Sequence, residues 1–145
     1  MAGRNGEAVV PYISEVELAA VGLSKEAAKQ LLQDVIIPEM RAYELSPWNG
    51  DAFKNGSTFS VKFDILWKGE RLPAGVTVID TPRGPRVFLG VIAVFCLRSI
   101  ETFGKRTADP EWPAHFNRVA QRLKDGGLPG VWDLPSGRIE QWPKR

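Results

Sequence analysis

The chain has 145 residues, 43% of them hydrophobic, a formal net charge of +2, one cysteine and one histidine. A length in the range of roughly 100–200 residues suits one domain, large enough to bury a core without disulfide or metal. The single cysteine excludes an intrachain disulfide, the single histidine excludes two-histidine metal sites and mechanisms, and the charge-free run Val87–Leu97 is far shorter than the ~20 residues of a membrane helix.

Met1 to Glu7 is polar and Gly-rich, without the apolar centre of a signal peptide. The expectation is a soluble, cytoplasmic protein with no membrane association. Charge is unevenly spread. Residues 1–56 carry five Lys/Arg against eight Asp/Glu, and residues 57–145 carry fourteen against nine. The basic second half hints at an anionic partner but lacks the dense stripe of a dedicated nucleic-acid binder.

Residues 1–12 are expected to form a flexible leader and 13–145 a single domain. Ser14 with Glu17 three residues on reads as a capping box opening a short helix that Gly22 ends. Ser24 caps a second helix, with Ala28, Leu31, Leu32 and Val35 as its apolar stripe. Pro38 must kink or restart it, since proline has no N–H to donate. Residues 45–57, rich in Pro, Gly and Asn around Trp48, read as an ordered loop.

The central stretch reads as an antiparallel meander. Phe59, Val61, Phe63, Ile65 and Trp67 alternate with Ser60, Lys62 and Asp64, the period of a half-buried strand. Val76–Ile79 is a second strand. Either Lys68-Gly69 or Pro73-Ala74-Gly75 could close the hairpin between them. The turn Thr81-Pro82-Arg83-Gly84 pairs Val76–Asp80 with roughly Arg86–Gly90. Val87–Leu97, apolar throughout, is expected as a central strand, with a bulge or a close neighbour at Gly90. Asp109 and Pro110 start a later helix with Trp112, Phe116, Val119 and Leu123 on one face, ended by Gly126-Gly127. Residues 131–142 read as a small hairpin. The expected core includes Leu31, Val35, Phe63, Ile65, Val91, Val94, Phe95, Phe116 and Val119. The fold class is α+β: a sheet of three to five antiparallel strands, N-terminal helices and a later helix packed on one face, and a short C-terminal β-hairpin.

The chemistry-bearing residues are sparse. His115 has no ligand spacing around it, so no metal is expected. Asp64 and Asp80 would suit acid–base chemistry only if they converged; cation pairing on an exposed face is the competing reading. Cys96 has apolar neighbours that oppose a thiolate. The glycines serve turns and caps, so no cofactor is expected. Residues 17–32 have the outline of a helix–turn–helix, with Lys25 and Lys29 available, but also Glu26 and Asp34. Arg118 and Arg122 are four apart on the later helix. Trp48, Trp132 and Trp142 fall in turns or the tail, where large rings make good interface anchors. The leading expectation is a non-catalytic binding module that engages a protein partner or its own copy through Trp48, Trp132, Trp142, Arg118 and Arg122. A nucleic-acid-binding accessory protein, or a small enzyme using carboxylates and His115 in a pocket against the sheet, are the alternatives.

Overall fold

The structure, a computed structural model, describes residues 6–41, 43–45, 52–56 and 58–128. It is an α+β fold with a five-stranded antiparallel sheet. Trp48, Trp132, Trp142 and the expected C-terminal hairpin lie outside the described residues.

The helical part comes first: α1 (Gly6–Val9), a 3-10 turn (Val10–Tyr12), α2 (Glu15–Val21), α3 (Lys25–Leu31) and α4 (Ile37–Met40). Residues 6–12, expected as a flexible leader, thus form helical turns, with Glu7 paired to Lys29 at 3.5 Å. The Ser14 and Ser24 hydroxyls accept from Glu17 N–H and Ala27 N–H, and Gly22 ends α2 at φ 72°. Between α3 and α4, Leu32–Ile36 winds as a π-helical turn. Pro38 follows it. A proline has no N–H for the carbonyl four residues back. That carbonyl, on Asp34, is taken instead by the Arg122 guanidinium at 2.6 Å.

The sheet consists of β1 (Glu44–Leu45), β2 (Ala52–Asn55), β3 (Thr58–Trp67), β4 (Glu70–Thr81) and β5 (Gly84–Val87). Both β1 and β2 pair with one edge of β3, and β4 then β5 follow on the other. Lys68-Gly69 closes the β3–β4 hairpin with both residues at positive φ, 48° and 79°. That backbone twist matches the strands it joins. Pro73 sits within β4 opposite Asp64, where β4 is an edge because β5 reaches only as far as Val78. The turn after Thr81 joins β4 to β5 as expected, but the pairing is Val78–Thr81 with Gly84–Val87, one residue off and shorter than the expected Val76–Asp80 with Arg86–Gly90.

Beyond Val87 the expectation fails. The run expected as a central strand forms α5 (Leu89–Gly104), and Gly90 lies in its first turn rather than in a bulge. Leu89, Ala93, Cys96, Leu97, Ile100 and Phe103 are fully buried, at helical spacing. The run is covered by helices on one side and the sheet on the other, with Val91, Ile92 and Phe95 left half-buried. Continuous apolarity marks burial and does not by itself choose the period.

Glu17 fixes where α5 begins. Its N–H donates to Ser14, but its carboxylate does not turn back to cap α2. It accepts from Leu89 N–H at 2.6 Å and Gly90 N–H at 3.0 Å. Phe88, at the head of α5, has no side-chain acceptor to offer. A carboxylate there satisfies two otherwise unpaired donors and faces the positive end of the helix dipole.

The last helix, α6 (Trp112–Asp125), packs on α5 through Val119, Ala120 and Leu123. Of the expected core, Leu31, Val35, Ile65, Val94 and Val119 are buried, and Phe63, Val91, Phe95 and Phe116 are half-buried.

Candidate functional site

The candidate site is a cleft between the last turns of α5 and the first turns of α6. Trp112 and Phe116 are one turn apart on α6 and so share a face. The Trp112 indole N–H donates to the Ile100 carbonyl on α5, which fixes the ring against that helix. Gly104 makes this approach feasible: a Cβ there would fall inside the Trp112 ring. Behind the ring runs an aromatic series. Trp112 lies 6.3 Å from Trp67, and Trp67 4.9 Å from Phe103, which stacks on Tyr43 at 4.9 Å. The wall of the cleft is therefore anchored in both helices and the sheet.

The cleft is also lined by Glu101 on α5 and Lys105 just past its end, one turn apart and paired at 3.1 Å. Asn117 adds an amide, and Pro113 completes the wall. Together they line an open recess of about 300 Å³. An apolar recess with a few placed polar groups is the usual form of a ligand site.

Next to it, His115 Nε2 lies 2.9 Å from a Glu39 carboxylate oxygen and joins α6 to α4. The His115 ring also meets Trp112 edge-on at 5.5 Å. Both partners of this pair are largely covered, at 28% and 22% exposure. Cys96 is fully buried, and burial, with the negative charge of Glu39, pushes its thiol up to about 12. A thiol in that environment stays protonated and unreactive. Burial raises the Tyr43 phenol as well.

The two strand acids do not converge. Asp64 pairs with Arg71 at 3.3 Å. Its cross-strand partner Pro73 stands six residues along β4 from Ile79, the neighbour of Asp80, a separation of roughly 20 Å at ~3.3 Å per residue. Asp80 also has the parity of Val76 and Val78, so it projects from the opposite face.

Lys25 and Lys29, the cations of the helix–turn–helix outline, are paired with Glu15 and Glu7. Arg118 and Arg122 are exposed on α6, and Arg122 carries the Asp34 contact. Sequence reasoning misses Gly104, Glu101 and Asn117, and reaches Lys105 only as one of the basic side chains of the second half. The signal was an i, i+4 acid–base pair beside Trp-Pro-x-x-Phe, and it becomes visible only once residues 98–104 are known to be helical.

A second recess, about 290 Å³, opens between the sheet and α5 and is lined by apolar side chains such as Phe63, Val78, Ile92 and Phe95. Among the described residues no group of His, Cys, Asp and Glu could hold a metal ion, and no helix is long and apolar enough to cross a membrane. No family model, curated protein or solved structure matches this chain.

Proposed function

We infer that the protein is a non-catalytic binding module whose recognition site is the α5–α6 cleft. One observation carries this: Trp112, fixed to α5, and Phe116 line an open recess of about 300 Å³ together with the Glu101–Lys105 pair. Half-buried rings beside a few polar groups suit the anchoring pockets of binding surfaces. The partner is a protein or a second copy of this chain, presenting a side-chain-sized group to the cleft. Trp48, Trp132, Trp142, Arg118 and Arg122 belong to the proposal on sequence grounds, the two arginines on the face of α6 turned away from Trp112 and Phe116.

This reading ranks above the alternatives for physical reasons. The cysteine is held as a thiol, and the strand acids are far apart. Many basic side chains are engaged internally: Arg83 with Glu15, Arg106 with Glu70, Lys105 with Glu101, Arg122 with Asp34. Such pairing weakens a field that would gather nucleic acid.

A panel of small fragments of varied chemistry, screened by amide and indole chemical shifts on the ¹⁵N-labelled chain, tests the site. Hits should cluster on Gly104, Lys105, Trp112, Phe116 and Asn117. Hits confined to the Phe63–Phe95 recess or to Glu39–His115, or no hits at all, would contradict it.

A further inference from the structure

We propose that the α5–α6 cleft accepts a cationic group, a guanidinium or an alkylammonium, laid against Trp112 and Phe116 with its charge on Glu101. This deepens the binding reading and rests on it.

Four observations point to a cation. The Trp112 N–H is committed to Ile100, so the indole bordering the cleft has no donor left for an anion, while its π system attracts cations. The Glu101 carboxylate is the deeper member of its pair, 32% exposed against 73% for Lys105. Lys105 sits at the rim on a flexible stem, and an exposed pair of this kind is weak, so an incoming cation can replace it. The cleft also lies at the C-terminal, electronegative end of the 16-residue α5.

An anion would find little to hold it. The opposing end of α6 has few free donors. Glu111 N–H goes to the Asp109 carboxylate at 2.9 Å and Trp112 N–H to the Asp109 carbonyl at 3.3 Å. Pro113 has no N–H. Asp109 and Glu111 themselves add negative charge on that side. The cavity, about 300 Å³, is at the small end of ligand sites and suits one such group rather than a whole helix.

The same chemistry could come from a free amine or from an arginine or lysine of a partner. The test titrates the ¹⁵N-labelled chain with butylguanidinium and benzylammonium, and with butyrate and phenylacetate as anions of matching size. The readout is the Trp112 indole and the Gly104 and Lys105 amides. Saturable shifts with the two cations and none with the carboxylates are expected. Glu101→Gln should weaken the cations about tenfold or more, the loss of one charge-assisted contact, whereas Lys105→Ala should leave them unchanged or tighten them. Glu101 is at the surface, and the dispersion of the Glu101→Gln spectrum checks its fold. An acetylated Gly-Gly-Arg-Gly-Gly amide that binds more tightly than butylguanidinium identifies a peptide source; equal or weaker binding identifies a free amine. Binding of the carboxylates, abolished by Lys105→Ala, would overturn the cationic ligand while keeping the cleft as a binding site. Failure of all four probes would overturn the binding reading itself.

Discussion

Glu17 shows how one side chain joins two distant parts of the chain. It is wholly buried, and its acceptors serve a helix start 72 residues away. Removing it leaves two buried N–H groups unpaired. Glu17→Ala should therefore cost about 2–3 kcal/mol, read as a lower denaturant midpoint. The residue also gives a pH signature. Burial raises its carboxyl above the ordinary 4.5, against the opposing pull of the Gly90 and Leu89 N–H groups. The folded state thus binds this proton more tightly than the unfolded chain. The stability linked to that proton is full below pH 4.5 and is lost as pH rises through the raised value. Compared with Glu17→Gln, which does not titrate, the wild type should gain stability as pH falls from about 7 to about 4. Unfolding curves of both proteins at the two pH values check this, and a relative loss on acidification contradicts it. Ser14 and Glu17 were legible in sequence as a helix start. The true partner of the carboxylate was not, because local spacing carries no information about a helix so far along the chain.

At the scale of elements, α5 decides the architecture, and it is where the sequence reading misled. Val87–Leu97 is rich in β-branched and aromatic residues with no charge. Both a covered strand and a buried helix look like that over a short window. The deciding signal lay further on. Ile100 and Phe103 continue the stripe of Ala93, Cys96 and Leu97 at spacings of three and four, over a length that only a helix of this kind reaches. The β4–β5 turn was legible from its Pro and Gly, whereas for β3–β4 alternation marked the strand but two turns competed; α6 was legible from its stripe and terminal glycines, but Asp109 does not cap it, since the helix begins at Trp112 after Glu111. The contact of α5 with α6 hangs on Gly104. Gly104→Ala gains about 1 kcal/mol of helix propensity. It also drives a methyl into Trp112, and such overpacking costs about 1–3 kcal/mol. A net destabilisation of about 1 kcal/mol is expected, with the Trp112 indole resonance displaced. A stabilised variant with an unmoved indole would show that the close packing of these two helices is not required.

In the whole molecule α5 lies between the sheet and the other helices. Its first part is sealed by α2 through Glu17, and its last part opens beside α6. One end of the central helix is therefore buried and capped, while the other borders a cleft walled by rings that reach back to the sheet through Trp67 and Phe103. A site so supported needs little rearrangement to bind, which limits the ordering cost of association. The most direct test is the position of a bound group. Intermolecular nuclear Overhauser contacts between the methylene protons of butylguanidinium and the labelled protein locate it. Contacts to the ring protons of Trp112 and Phe116 are predicted. Contacts to Phe63, Ile92 and Phe95 instead, or none at saturating concentration, would contradict the assignment of the α5–α6 cleft as the recognition site.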